Sequence, residues 1–167
     1  MPLLWNDRQQ DAGGGSMTFS TRTIVFTSAM LLSQLASAAD LGCFAQASSR
    51  YSIPEELLRA ISRVESGGNP VAINKNKNGT FDIGHMQINS AWLPTLAKYG
   101  ITRDRLTDSC VNTHVGAWIL AGNFHRMGYG WKAVGAYNAK SPVKAAAYAR
   151  QVADILRYET QQGNQID

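Results

Sequence analysis

Charge, cysteine and long apolar runs are all scarce in this chain of 167 residues, and each scarcity excludes something. Charged residues make up 17% of it and there is no Lys/Arg-rich run or basic helix, so nothing specifies nucleic acid. The two cysteines, Cys43 and Cys110, are 67 residues apart, which is no metal-ligand spacing. The longest apolar run, Ile24 to Ala36, is 13 residues, too short for a comfortable membrane span. There are no internal repeats, and Gly13-Gly14-Gly15 is the only low-complexity piece. Gly84 to Gly100 holds no phosphate-loop pattern. Ser66 lacks a G-x-S-x-G setting and an evident His/Asp partner, which argues against a nucleophilic serine. Of the three histidines, His85, His114 and His125, the last two are eleven apart, about three helical turns, too far to share a metal unaided. No metal or cofactor is expected.

What is present is 44% hydrophobic residues, enough for a core and against disorder. The length suggests one ordinary domain. Arg22, the 13-residue apolar run and "ASAAD" form a basic region, an apolar region and an A-x-A site, which read as a signal peptide over 17–39, cut near Ala38 or Ala39. An uncleaved anchor or a buried strand is the alternative. Residues 1–16, with Asp7 and Asp11, do not suit the start of such a peptide, whereas Met17 does, so 1–16 reads as a non-native or flexible extension. The expected domain covers 40–160, with a flexible tail over 161–167. Removing the leader takes away two cations and two anions, so the net charge stays +4. A mildly basic exported protein suits an anionic surface or polymer such as the cell wall. Two cysteines in an exported chain suggest a disulfide worth on the order of 4 kcal/mol, with two buried thiols as the alternative.

The mature part reads as mostly helical, with one small hairpin or loop insertion. Ser52-Ile-Pro-Glu55 has the form of a capping box and opens a helix of about 53–65, ended by "SGGNP". Asn78-Gly79 lies in a Gly/Asn/Lys-rich stretch, a hairpin signal. Asn89 or Ser90 could cap a short helix that Gly100 stops. Asp108 or Ser109 starts a helix to about Met127, with Val111, Val115, Trp118, Ile119 and Gly122 on its inner face. "GWKAVGAYNA" reads as another short helix. A last one begins at Ser141-Pro142, with Val143, Ala147, Val152 and Ile155 as its apolar stripe. Trp92, Trp118, Trp131, Tyr129 and Tyr137 read mostly as core, with one or two able to stack on sugar faces.

Glu65 carries the chemical question. It follows Leu57, Leu58, Ile61 and Val64 at helical spacing, one residue before the break. Apolar neighbours and the negative end of a helix both favour the protonated carboxyl, the state a general acid needs near neutral pH. A solvated residue at a fraying end is the plainer alternative. Asp82 lies 17 residues on, beyond the hairpin signal. Lysozyme has the same separation between its Glu acid and Asp stabiliser, and two carboxylates in unlike settings are the glycosidase pattern. A turn residue is the plainer reading of Asp82.

"ESGGNP" from Glu65, "DIGHMQIN" from Asp82 and "AYNA" from Ala136 together resemble the three motifs of lytic transglycosylases, in order and spacing, over most of residues 41–158. That resemblance implies a mainly α, α+β lysozyme-like fold and cleavage of the β-1,4 bond between N-acetylmuramic acid and N-acetylglucosamine in peptidoglycan. The "GHMQIN" form is most similar to small specialised members that accompany type III secretion, conjugation and type IV pilus machines. Glu65 would be the single acid/base, giving 1,6-anhydro ends without water. Ser66 would help orient the site, Met86 and Gln87 would line the sugar groove, and Tyr137 and Asn138 would lie by the acid and the sugar. Lys140 stands near where the family often has Gly. Asp82 departs from most members and would assist, or permit hydrolysis. The resemblance implies a periplasmic enzyme, taken to be a monomer, whose partners are glycan strands and components of such a machine. A hydrolytic muramidase and a wall-binding scaffold are the rivals.

Overall fold

A computed structural model describes residues 42–163. The signal-peptide and extension readings, and the last four residues, lie outside that range. Helix α1 (42–51) leads into α2 (Glu55–Ser66). A three-stranded antiparallel sheet follows, β1 (Ile73–Lys75), β2 (Phe81–Ile83) and β3 (Ile88–Asn89), in the order β1-β2-β3. Asn74 faces Asp82 and Asp82 faces Asn89 across it. Then come the short α3 (Leu93–Leu96) between 3₁₀ turns, the long α4 (Ser109–Met127), α5 (Trp131–Asn138) and α6 (Pro142–Gly163). The result is a mainly α, lysozyme-like fold.

Local chemistry accounts for most boundaries. Asp108 caps α4, its Oδ1 accepting from the Val111 amide at 2.8 Å. Asn89 caps the turn before α3 by accepting from Ala91 N, and Gly100, at φ 71°, ends that segment. The hairpin closes through Asn76–Thr80, with Thr80 N donating to Asn78 Oδ1. The third strand was not expected; it is two residues long, below what periodicity can signal.

The Ser52 capping box does not form. Ser52 takes φ 54° just after α1, and α2 starts at Glu55 with no side-chain cap. Glu55 instead binds Arg59 one turn on, at 2.8 Å. Leaving α1 demands a left-handed residue, and that demand overrides the local capping pattern. Val143 is also misplaced as core, being 79% exposed. The packed face of α6 is Tyr148, Val152, Ile155 and Leu156, and the helix runs to Gly163, past the expected boundary at 160. Trp131 and Tyr129 are exposed rather than core.

The core gathers Leu58 and Ile61 of α2, Ile83 and Ile88 of the sheet, Leu120 of α4, Val134 of α5 and Val152 of α6. Each such side chain, fully buried, contributes roughly 1.5–3 kcal/mol. Two small residues let elements approach: Gly116 of α4 receives the Met86 side chain, and Gly135 of α5 lies against the Ala145 backbone of α6. The disulfide joins Cys43 of α1 to Cys110 of α4, with Cα atoms 5.1 Å apart.

Candidate active site

Glu65 is the penultimate residue of α2, where the chain leaves through a glycine turn. Gly67, at φ 67°, donates to Arg63 O, and Gly68 donates to Ser62 O. The two bonds end the helix and turn the chain away beside Glu65. Its carboxyl accepts one short hydrogen bond, from Tyr148 Oη of α6 to Oε1 at 2.6 Å. Burial pushes its pKa up from 4.5 to about 7; the Tyr148 hydrogen bond opposes that rise, and the Asp82 charge adds to it. A carboxyl tuned there exists in both protonation states near neutral pH, as a group that first donates and then accepts a proton requires.

Asp82, in the middle of the hairpin, is held in the opposite way. Asn76 donates to its Oδ2 at 3.0 Å and Asn89 to its Oδ1 at 2.6 Å. The same two amides also reach Thr80 Oγ1, each at 3.1 Å. Amide donors thus occupy both oxygens of the Asp82 carboxyl. The two carboxyls thus occupy contrasting settings, one apolar and one polar, and sense each other electrostatically.

The hairpin is fixed to the helices by buried polar groups. Ser66 Oγ donates to the His85 carbonyl at 3.0 Å, linking the end of α2 to the β2–β3 turn. His85 is buried, with Nε2 3.1 Å from the Ser109 carbonyl and Nδ1 2.8 Å from Ser62 Oγ. A carbonyl only accepts, so the Nε2 proton points to Ser109 O, with Thr113 Oγ1 also 3.1 Å from Nε2. Asn112 of α4, fully buried, donates to Ile83 O and Leu106 O and accepts from Met86 N. A Cβ on Gly84 would overlap that amide, so this turn requires glycine both for its φ of 74° and for the close approach.

The expected groove residues divide. Met86 is fully buried, so its side chain belongs to the core and does not line a groove; its carbonyl accepts from Tyr137 Oη at 2.9 Å. Gln87 is held at φ 50°, its amide donating to Gly84 O at 2.8 Å and accepting from Asn74 at 2.6 Å. Tyr137 stacks on Tyr148, with ring centres 6.5 Å apart. Burial first and then the Glu65 charge raise the pKa of both phenols, so they remain hydrogen-bond donors. Asn138 is exposed at the end of α5. The hydroxyl hydrogen-bonded to the acid is that of Tyr148, while Tyr137 donates to Met86 O and senses the Glu65 charge. Tyr148 escaped the sequence reading, as did Asn76 and Asn89 around Asp82; the one signal was a lone aromatic within the alanine-rich stretch 145–149. Among the described residues, His, Cys, Asp and Glu form no group of three or more that could hold a metal ion.

The family model of the transglycosylase SLT domain matches residues 42–156, which takes in Glu65, Asp82, Tyr137 and Tyr148 together. The chain belongs to the SLT transglycosylase family. Its curated relatives include the invasion protein IagB of Salmonella typhimurium, 42% identical over 120 residues, which cover 69% of this chain and 75% of that protein. Protein IpgF of Shigella sonnei is 41% identical over 117 residues, covering 69% and 77%. An Escherichia coli X polypeptide is 40% identical over 136 residues, covering 77% and 79%. The transglycosylase domain thus coincides with the described fold from α1 into α6.

Proposed function

We propose that this SLT-family protein is a peptidoglycan lytic transglycosylase with Glu65 as its acid/base. The observation that carries the reading is the tuned Glu65 carboxyl, at about 7, gripped on one oxygen by Tyr148. Protonated Glu65 gives its proton to the glycosidic oxygen between N-acetylmuramic acid and N-acetylglucosamine, and that C–O bond breaks. The resulting carboxylate takes the proton of the muramyl 6-hydroxyl, whose oxygen bonds to C1 to close a 1,6-anhydro ring. No water is consumed and Glu65 ends protonated again. Tyr148 occupies Oε1 throughout, which leaves the other oxygen for the proton. Ser66 supports the junction of α2 and the hairpin, and Tyr137 and Gln87 shape the neighbouring wall.

Asp82 favours a second reading. A carboxylate fixed by two amides can stabilise positive charge at C1, as in lysozyme-type hydrolysis, and would admit water as the acceptor. Mass spectrometry of digested sacculi tests both: 1,6-anhydromuramyl ends support the transglycosylase, and reducing ends alone support the muramidase. Absence of either product would refute both and leave a wall-binding scaffold.

The basic, apolar and A-x-A pattern in the sequence over 17–39, the disulfide and the net positive charge support export to the periplasm. The name of one relative, an invasion protein, supports a setting in which the enzyme opens the wall locally for a secretion, conjugation or pilus machine. Retention of the mature protein in the cytoplasm would refute that placement.

A further inference from the structure

Thr80 lies in the turn between β1 and β2, half-buried, and its hydroxyl joins the side chains of Asn76, Asn78 and Asn89. The direction of these bonds follows from one backbone N–H, which only donates. Thr80 N donates to Asn78 Oδ1 at 3.1 Å, so that oxygen faces Thr80 as an acceptor. It also lies 2.7 Å from Thr80 Oγ1 and takes the hydroxyl proton. With its proton committed to Asn78, Oγ1 turns its lone pairs to Nδ2 of Asn76 and of Asn89, each at 3.1 Å. Each of those amides has a second N–H, and it goes to Asp82. Asn76 reaches Oδ2 at 3.0 Å and Asn89 reaches Oδ1 at 2.6 Å.

Two bonds from one NH2 group fix the plane of an amide, whereas one bond leaves it free to pivot. The two amides are not equally secured. Asn89 Oδ1 also accepts from Ala91 N at 2.9 Å, which holds its orientation independently. Among the described residues, the side chain of Asn76 bonds only to Thr80 and Asp82. Without Oγ1, one N–H on each amide loses its partner, and Asn76 can swing away from Asp82. Resting on the reading above of Asp82 as a group that assists at C1, we propose that Thr80 is a positioning residue. Its hydroxyl locks both amides with their donors towards Asp82, and so fixes where the two carboxyl oxygens lie relative to Glu65 and the sugar. Thr80 touches no reacting atom; it acts through Asp82.

The test compares Thr80→Val, which removes the hydroxyl and keeps the shape, with Thr80→Ser, which keeps the hydroxyl. In the first arm, NMR of isotope-labelled proteins follows the side-chain NH2 signals of Asn76 and Asn89. In Thr80→Val the Asn76 signals should shift or broaden and exchange with solvent several-fold faster, and unchanged signals would overturn the proposal. In the second arm, kcat and KM are measured on purified peptidoglycan. Thr80→Val should lower kcat by about three- to tenfold and leave KM within about twofold, and Thr80→Ser should recover most of the loss. Introduced into Asp82→Asn, Thr80→Val should lower kcat no further. A loss that Ser does not recover, or one repeated in full without the Asp82 carboxyl, would overturn the proposal. Should Thr80→Val fail to fold, Asn78→Ala at its exposed turn position frees the hydroxyl proton instead. It should loosen Asn76 and lower kcat in the same direction, and wild-type signals with wild-type kcat would overturn the proposal. Responsive Asn76 signals, with kcat unchanged in Asp82→Asn, would defeat the assisting role of Asp82 and leave the lock standing.

Discussion

Replacing Glu65 with Gln should remove activity and make the protein more stable, by an amount that depends on pH. In the folded chain the carboxyl ionises at about 7, against 4.5 when unfolded. Below the unfolded value it is neutral in both states and costs nothing. As pH rises from there towards 7, the unfolded chain releases the proton while the folded chain keeps it, so stability falls. Above 7 the loss is complete and constant. At ~1.4 kcal/mol per pH unit, the total is about 3 kcal/mol. The Gln amide has the same shape, and its oxygen still accepts from Tyr148 Oη, so packing is preserved. Urea unfolding of both proteins at pH 4 and pH 8, disulfide intact, measures the difference. Glu65→Gln should match wild type within about 1 kcal/mol at pH 4 and exceed it by about 2–3 kcal/mol at pH 8. A gain equal at both pH values, or a loss at pH 8, would refute the claim that the acid is held in an unfavourable, functionally tuned setting.

Tyr148→Phe removes the one influence that lowers the Glu65 pKa. The alkaline limb of peptidoglycan clearing should therefore move up by about one pH unit, with reduced maximal rate; an unmoved limb would contradict the hydrogen bond's role. Asp82→Asn should lower turbidity clearing less than Glu65→Gln does, and Asn89→Ala should lower it in the same direction through the lost amide donor; complete loss in Asp82→Asn would make Asp82 more than an assistant. Cys43→Ser should lose about 4 kcal/mol of stability with the chemistry retained, read as a fall in melting temperature under oxidising conditions; an unchanged melting temperature would exclude a stabilising disulfide.

How far the sequence carried depended on whether the information was local. Helices α2, α4, α5 and α6 were visible because their apolar residues recur at helical spacing and their ends carry Gly, Asp or Pro. Asp108 and Gly67 did what their residue types suggest. Ser52 did not, because the exit from α1 imposed its own backbone geometry. Met86 could not be recognised as core without Gly116, thirty residues later, to make room for it. The same holds for the site. Glu65 and Asp82 were legible from position and motif, whereas Tyr148 reaches Glu65 across 83 residues, a contact that only the packing of α6 on α2 creates. Of the amides on Asp82, Asn89 sits in β3 and Asn76 just past β1, but both are common turn residues, and nothing in their spacing marks them as its partners.

The Cys43–Cys110 bond has one more consequence, and it concerns timing. It fastens the first described helix to the start of α4, near Asn112 and the Ser109 carbonyl that hold the hairpin. In a reducing compartment those sulfurs remain thiols, and the chain goes without that constraint. On the proposed route of export, the two halves of the fold are locked together only after the protein has reached the compartment where its substrate lies. On the proposed reading, a wall-cutting enzyme assembled this way is least stable while it is still inside the cell that makes it.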